Sequence, residues 1–299
     1  MLDDMGDGHL MIEAASLPKM LFEQIVASGV QTCEADCPLT IEKARKTPPE
    51  LRGFRAAHQR DGTAMVEFLC WLDQAISVPS ASITESDLAD KLLAFRQQQD
   101  GFLVPSFNPI SGSGPNGAIV HYRAIAGADR ELASDDLLLL DSGGHYRDGT
   151  TDITRTIAIG TPPNGAVAAY SHVLRSHIHL AMAKFPTGTN GKQLDAIARA
   201  PLWAAGLDFA HGTGHGVGHV LSVHEGPASI SKTGDVALEA GMVLSNEPGY
   251  YQTGDWGIRI ENLIVVTPAK QTGFLEFETI TPVSYTHLRA HETKANLVC

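Results

Sequence analysis

The sequence lacks the features of a membrane, exported or nucleic-acid-binding protein. No long apolar run occurs in its 299 residues, and no basic segment followed by an apolar one stands at its start, so we expect a cytoplasmic protein without a membrane partner. Four cysteines are too few for a disulfide framework in a chain of this length. Acidic residues outnumber basic ones by 34 to 22 and no basic stripe is present, which argues against a nucleic-acid partner.

The composition is that of a globular protein, with 43% apolar and 19% charged residues, and the length suits one large domain or two modest ones. Thr47 as N-cap, followed by two prolines and Glu50, begins a helix that the apolar spacing predicts from about Pro48 to Ala75. Short strands are predicted after Gly206, and helices grouped against a largely antiparallel sheet indicate the α+β class. Three further helices are expected in segments 83–99, 164–185 and 191–206.

An apolar strand that ends in a carboxylate is the first feature that bears on function. Four leucines, residues 137–140, lead directly into Asp141. After the glycine-rich segment GGHYRDGTT, read as a turn, the segment DITRTIAIG alternates like a second strand that starts at Asp152. A carboxylate buried in such a place is costly unless a basic residue or a cation neutralises it.

Three more ionisable residues lie in apolar or glycine-rich strand segments: His215 in HGTGHGVG, Glu247 in MVLSNEPGYY and Glu261 in GIRIENLIVV. Taken singly, each carboxylate is open to a second interpretation as a surface acid or a member of an ion pair. Taken together, four carboxylates exceed what one nearby base, Arg259, neutralises, whereas two divalent ions would balance them. Oxygen ligands with one nitrogen favour manganese, cobalt, iron or zinc, and a di-metal site suits hydrolysis.

The order Asp, Asp, His, Glu, Glu resembles that of the pita-bread metallopeptidases, which include methionine aminopeptidase, prolidase and aminopeptidase P. The segments SGPNGAIVHY, DSGGHYRDGTTDITRT, HGTGHGVGHVLSVHEGP, SNEPGYY and GIRIENL are most similar to the cytosolic-type Xaa-Pro aminopeptidases. The resemblance covers about residues 37–281. It implies a pita-bread fold, a curved antiparallel sheet flanked by helices, and two divalent ions with manganese as the expected metal. One departure is His145, where relatives usually carry glutamine.

The resemblance also implies which residues hold the ions. Asp141 would be a terminal ligand of one ion, and Asp152 and Glu261 would bridge both. His215 and Glu247 would complete the ligands of the other ion. These five residues are the predicted metal ligands.

Five residues are expected to take part in catalysis, four of them by the same resemblance. His121, His211 and His224 would hydrogen-bond the peptide and stabilise the tetrahedral intermediate. Arg259 lies two residues before Glu261 on the same predicted strand, hence on the same face, and would orient a ligand carboxylate. Glu247 would pass the proton of a hydroxide bridging the ions to the proline nitrogen.

The function implied is release of the N-terminal residue from peptides with proline at position two. Two alternatives stay open. A prolidase-like dipeptidase has the same fold, although the segment VHEGP argues against it. A pseudoenzyme that binds peptides without catalysis would lack metal ligands, and all five are present here.

The resemblance further divides the chain into three parts. Residues 1–40 are expected to be the remnant of an N-terminal domain with its linker, and residues 41–283 the catalytic domain. Residues 284–299 follow neither a strand pattern nor the family motifs and resemble translated read-through of a sequencing adapter, so we expect them to be non-native. Relatives are usually homo-oligomers, and a dimer is expected of the full-length protein.

Overall fold

A computed structural model of the chain describes residues 9–14, 16–78 and 82–285. It divides into two compact units, residues 1–43 and 44–299. In the first unit Gly29, at φ 75°, ends helix α1 in the left-handed conformation that glycine adopts without strain. That this unit is the remnant of a larger domain stays a prediction. The first elements of the chain are strand β1 Leu10–Ile12, helix α1 Lys19–Ser28, strand β2 Thr32–Glu34, parallel to β1, and helix α2 Pro38–Ala44, which ends at the unit boundary.

Four helices of the second unit form where the sequence predicts them: α3 Pro48–Ala75, α4 Glu85–Arg96, α5 Ala166–Ala181 and α6 Gly191–Trp203. Capping explains where α3, α4 and α6 begin. In each, the third helical residue accepts a hydrogen bond from the N-cap backbone N–H: Glu50 at 2.8 Å, Asp87 at 2.9 Å and Gln193 at 3.0 Å. Within the described residues, no helix is long and apolar enough to cross a membrane.

The strands of the second unit are short and all of their ladders are antiparallel, so the α+β class is confirmed. They pair in the orders β4-β5-β8, β12-β15-β16-β9, β3-β6-β7, β10-β11 and β13-β14. Their bounds are β3 Phe102–Pro105, β4 Ile110–Ser113, β5 Asp136–Ser142, β6 Gly144–Tyr146, β7 Gly149–Thr150, β8 Ile153–Ile159, β9 Lys184–Pro186, β10 Gly214–His215, β11 Ser229–Ile230, β12 Val243–Asn246, β13 Gly249–Gln252, β14 Trp256–Arg259, β15 Asn262–Pro268 and β16 Phe274–Thr279.

Strand β5 is buried on both faces, which explains its unbroken run of leucines. Leu138 and Leu140 belong to a core cluster with α3 and α4 that includes Phe68. Leu137 belongs to a second cluster, with α5, α6 and β14, that includes Tyr170. A strand covered on both sides selects apolar residues at every position rather than at alternate ones. The packing therefore fixes the end of β5, where Asp141 follows.

Two expectations about local structure are wrong. The segment GGHYRDGTT is not a simple turn, because it forms strands β6 and β7, and β6 also pairs with β3. The segment SGSGPNGAIVHYR is typical of a glycine-rich loop entering a short strand that carries His121, but His121 does not lie in a strand. A 3₁₀ helix, Gly114–Ala118, follows β4, and His121 lies in the turn after it. Pro115 is the second residue of that helix and has no N–H to continue the β4 ladder.

The first two residues of the predicted non-native tail pack within the second unit. Arg155 Nε donates to the Ser284 carbonyl at 2.8 Å, and Asn262 Nδ2 donates to the Tyr285 hydroxyl at 2.9 Å. The Tyr285 ring also lies edge-on to His177, with 5.1 Å between ring centroids. The remainder of the predicted tail, residues 286–299, lies outside the described residues.

Candidate metal centre

The ends of several strands bring the five predicted ligands together. Antiparallel pairing places Asp141 opposite Thr154 of β8, and a β-bridge joins Thr154 to Glu261. A second bridge, between Gly216 and Leu244, holds the β10 segment against β12. The ligands occupy equivalent places in these elements: Asp141 near the end of β5, Asp152 just before β8, His215 at the end of β10, Glu247 just after β12, and Glu261 between β14 and β15.

The position of Glu261 corrects one expectation. The sequence places Glu261 and Arg259 on one continuous strand, but the structure breaks that strand between β14 and β15. At the break the Glu261 backbone N–H donates to the Thr154 carbonyl at 3.2 Å. This local change of partner connects Glu261 to the strand that follows Asp152.

Three of the ligands form a tight cluster. One ligand atom each from Asp152, His215 and Glu261 lies within 4.8 Å of the others. The His215 Nε2 atom is 3.5 Å from Asp152 Oδ2 and 3.4 Å from Glu247 Oε1. The fifth ligand, Asp141, faces the same cavity.

All nine predicted site residues line one cavity of about 320 Å³. Part of its remaining wall is apolar, from Phe107, Ile110, Val120 and Val223. The structure therefore brings together every residue that the sequence singled out, although it does not test their individual roles. The predicted site residues that line the cavity are His121, Asp141, Asp152, His211, His215, His224, Glu247, Arg259 and Glu261.

Negative charge accumulates in this cavity. Burial raises the pKa of Asp152, and the carboxylates of Asp141 and Glu247 raise it further. Burial likewise raises the pKa of Glu261, with Asp152 as the next cause. For Glu247, burial raises the pKa although His215 and Arg259 oppose the shift.

The carboxylate oxygens and the imidazole nitrogen that meet in the cavity suit divalent cations. The Oδ1 atoms of Asp141 and Asp152 are buried and have no hydrogen-bond partner among the described residues. The other carboxylates are held in place, because Thr154 Oγ1 donates to Glu261 Oε2 at 2.7 Å and Ser245 Oγ donates to Glu247 Oε1 at 3.0 Å. Buried carboxylate oxygens without donors, converging on an imidazole, are stabilised by cations that supply the missing charge.

Arg259 is the one Arg or Lys among the described residues that line the cavity. Its Nη2 donates to Asp141 Oδ2 at 2.7 Å, and its Nη1 donates to the Tyr251 hydroxyl at 2.6 Å. Burial opposes the charge, but Tyr251, Asp141 and Glu247 together raise the Arg259 pKa well above its usual value. The guanidinium therefore contacts the carboxylate of Asp141, while its orienting role stays a prediction.

His211 uses both ring nitrogens inside the protein. Its Nδ1 lies 2.7 Å from the Gly212 carbonyl, which only accepts, so Nδ1 carries the proton. Burial, followed by the charge of Arg259, lowers the pKa of His211 to about 4, so the ring is neutral and Nε2 is an acceptor. The Tyr251 hydroxyl, 2.8 Å away, therefore donates to Nε2. The expectation that His211 hydrogen-bonds the substrate is not supported by this geometry.

His224 and His121 are differently placed. The His224 ring lies edge-on to His215, with 4.1 Å between centroids. Burial, followed by the nearby His215, lowers the pKa of His224 to about 4, so His224 is neutral at physiological pH. His121 is exposed where it lines the cavity. Both rings line the cavity.

Sequence reasoning missed Tyr251, Thr154 and Ser245. Thr154 carries a recognisable signal, because it lies two residues after Asp152, and alternation along the predicted strand that starts at Asp152 puts both on one face. Ser245 has the same relation to Glu247. Tyr251 has no such signal, since its contacts to His211 and Arg259 depend on the β13–β14 pairing.

The chain belongs to metallopeptidase family M24. The family model matches residues 52–268, which include every predicted metal ligand. This membership confirms the resemblance found in the sequence motifs.

Relatives and solved structures agree with this placement. The chain is 47% identical over 253 residues to the probable Xaa-Pro aminopeptidase P of Laccaria bicolor, covering 82% of this chain and 39% of that protein. The crystal structure of the Caenorhabditis elegans X-prolyl aminopeptidase, described as a cytosolic enzyme with a di-nuclear active site, matches with a TM-score of 0.81 and 43% identity over 85% of this chain and 42% of that chain. Prolidase from Pyrococcus furiosus matches with a TM-score of 0.78 and 28% identity over 92% of this chain and 76% of that chain.

The predicted pita-bread fold is confirmed by these structures. The chain spans about two fifths of the length of the aminopeptidases it matches.

Proposed function

We propose that this chain is the catalytic part of a metal-dependent Xaa-Pro aminopeptidase, which releases the N-terminal residue from peptides with proline at position two. The observation that carries the proposal is the convergence of Asp152, His215, Glu247 and Glu261 in one cavity, with buried carboxylate oxygens that lack donors. The names of the relatives support the substrate class. The cytoplasmic location and the dimer remain proposals, the first supported by the description of the Caenorhabditis elegans enzyme.

The five ligands would hold two divalent ions, with manganese proposed and cobalt, iron or zinc as alternatives. When bound, the ions supply a nucleophile at neutral pH by lowering the pKa of water, and they polarise the peptide carbonyl. Asp152 and Glu261, which lie in the tight cluster with His215, would both help to hold the two ions. Asp141, held by Arg259, is proposed as a terminal ligand.

Glu247 is proposed to move the proton. Its Oε1 lies near His215 Nε2 and accepts from Ser245, so the carboxylate is fixed in the cavity. Burial raises its pKa, which brings a carboxyl group closer to the range where it both takes and gives a proton near neutral pH. The receiving atom is the proline nitrogen, which leaves as an amine.

His224 and His121 are proposed to hydrogen-bond the substrate. A neutral His224 donates one N–H without adding positive charge, and such a donor stabilises the oxyanion that develops on the carbonyl. His211 is proposed to act one step away, by holding Tyr251 against Arg259.

The choice of proline follows from the leaving nitrogen. A proline nitrogen carries no hydrogen, so the site needs no acceptor for the residue after the scissile bond. The apolar wall formed by Phe107, Ile110, Val120 and Val223 suits a pyrrolidine ring.

Substrate choice tests the proposal directly. The manganese-loaded protein is expected to cut an Xaa-Pro-Xaa tripeptide and to cut the matched Xaa-Ala-Xaa tripeptide slowly or not at all. Free amino acid released from both peptides is measured by chromatography, with an Xaa-Pro dipeptide as the third substrate. Equal rates on the two tripeptides would indicate a broad aminopeptidase. Cleavage of the dipeptide alone would indicate a prolidase, and cleavage of none, with two ions bound, would indicate a peptide-binding pseudoenzyme.

His224→Ala is expected to keep both ions and to lower kcat by about 10²–10³-fold, the usual effect of removing one oxyanion donor. His224 contacts the ring of His215 but is not itself a predicted ligand, so metal content serves as the control. Steady-state kinetics on the Xaa-Pro-Xaa peptide separate the parameters. A large increase in KM with kcat unchanged would show that His224 binds the ground state only.

A further inference from the structure

Glu85 is a fully buried carboxylate outside the cavity, at the first position of α4. The groups that contact its oxygens are hydrogen-bond donors. Oε1 accepts from the Ser113 backbone N–H at 2.6 Å and from Asn116 Nδ2 at 3.0 Å. Oε2 accepts from the Tyr122 hydroxyl at 2.7 Å and from the Arg130 backbone N–H at 3.1 Å. A buried carboxylate is stabilised here by donors instead of an ion pair.

These donors flank His121 along the chain. Ser113 ends β4, Asn116 lies in the 3₁₀ helix that follows, and Tyr122 comes directly after His121. Glu85 therefore holds residues 113–122, here called the His121 segment, at three points. His121 and Val120 from the same segment line the cavity, whereas Glu85 does not.

The opposite side of the His121 segment rests on the strand that carries Arg259. A Cβ on Gly257 of β14 would lie 1.8 Å from the Gly117 carbonyl oxygen, so the two backbones are in direct contact. Arg259 Nη2 also donates to the Val120 carbonyl at 3.4 Å. The His121 segment is thus held by Glu85 and by the strand β14, which ends at Arg259.

We propose that Glu85 is a positioning residue that sets the place of His121 in the cavity by anchoring the His121 segment. The inference rests on the proposed function for its kinetic consequence, though not for its structural one. A carboxylate is required because all four partners donate, and an amide would turn its own N–H₂ group toward at least one of them. Substrate, ions and reacting atoms are not touched by Glu85.

A purely local role, stabilisation of the α4 N-terminus, is separable from this one. Asp87 lies in the same first helical turn, and its exposed side chain accepts from the Thr84 backbone N–H at 2.9 Å. Asp87→Asn therefore weakens the helix start without touching the His121 segment, which makes it the matched control for Glu85→Gln.

Both variants are expected to bind two manganese ions per chain. Glu85→Gln should lower kcat/KM for the Xaa-Pro-Xaa peptide by about 10–100-fold, the usual cost of losing an outer supporting residue, while Asp87→Asn stays within about twofold. The decisive comparison is made in a His121→Ala background. There Glu85→Gln should cost less than about twofold, because the residue it positions is gone. If Glu85→Gln lowers kcat/KM by the same factor with and without His121, the proposal is overturned.

Backbone hydrogen exchange tests the structural part without activity. Amides of residues 114–122 should exchange at least about tenfold faster in Glu85→Gln and unchanged in Asp87→Asn. Equal exchange in both variants would overturn the proposal even if peptide hydrolysis is confirmed, and a wild type that cuts no peptide would refute the proposed function alone. If Glu85→Gln does not fold, Tyr122→Phe is the replacement variant, because it removes one of the donors to Glu85. It should speed exchange and lower kcat/KM to a smaller extent than Glu85→Gln would. No change in either quantity would overturn the proposal.

Discussion

Glu261→Gln is expected to bind neither ion and to hydrolyse no Xaa-Pro peptide. Glu261 is 1% exposed, and one of its oxygens is within 4.8 Å of ligand atoms of both Asp152 and His215. The substitution replaces a carboxylate oxygen by an amide nitrogen, so it removes the charge that two bridged cations share. Elemental analysis after dialysis against manganese should find two ions per wild-type chain and none per variant chain.

The control is Glu239→Gln, which changes a glutamate that pairs with Arg45 at 2.8 Å, away from the cavity, and has a side chain 42% exposed. This variant should keep both ions and full activity. Two ions per chain in Glu261→Gln would contradict the bridging role.

In the metal-free protein, Glu261→Gln should raise the stability of the fold. Burial and the charge of Asp152 raise the folded-state pKa of Glu261 well above its ordinary value of 4.5, so the folded chain binds more protons than the unfolded one. The stability that this extra proton binding contributes is therefore complete below the unfolded-state pKa of Glu261 and is lost as the pH rises through the folded-state pKa. Glu261→Gln removes one repelling charge, and with a chelator present it should melt higher than wild type at pH 7.5. The difference should vanish near pH 4.5, and a variant that melts lower at pH 7.5 would contradict the charge argument.

Arg155→Met is expected to lower the free energy of unfolding by about 3 kcal/mol or more, since several buried acceptors lose their donor at about 1–3 kcal/mol each. Arg155 is fully buried, and burial lowers its pKa to about 10, so it stays charged at neutral pH. All five of its N–H groups have acceptors within 2.8 Å. These are the carbonyls of Thr154, Glu261, Val283 and Ser284 and the side-chain oxygen of Asn262.

The melting midpoint should fall by about 6–12 °C, taking about 2–4 °C per kcal/mol for a domain of this size. Arg175→Met, at an exposed position of α5, is the matched control and should leave the midpoint unchanged. Arg155→Lys should lie between the two, because lysine keeps the charge but offers three donors in place of the planar five. A midpoint within about 1 °C of wild type in Arg155→Met would show that the acceptors find other donors.

Much of this fold follows from local patterns that the sequence displays. Thr47 and Thr84 mark helix starts because capping depends on residues three positions apart. The leucine run before Asp141 predicts burial because both faces of β5 are covered. The convergence of the ligands was anticipated through the family motifs, since no periodicity relates strand ends that lie far apart in the chain.

What the sequence could not show are partners supplied by tertiary structure. Glu85 looks like an ordinary acidic residue in a helix first turn, since nothing near it in sequence names Tyr122 or Arg130 as partners. Arg155 alternates with Thr154 and would be read as facing solvent, but residues 283–284 cover it. His211 looks free to bind substrate until Tyr251 is placed against it.

The five hydrogen bonds that Arg155 donates have a consequence for the order in which the protein folds and binds metal. The acceptors at Val283 and Ser284 are 128 and 129 positions further along the chain, and closing so long a loop is slow relative to forming local helices. During synthesis, Asp141 and Asp152 leave the ribosome long before the segment that locks their neighbouring strand. A nascent chain thus carries two of its four acidic ligands with no finished site, and we expect stable metal uptake only after residues 283–284 have left the ribosome. Bound manganese would then mark chains that have completed folding.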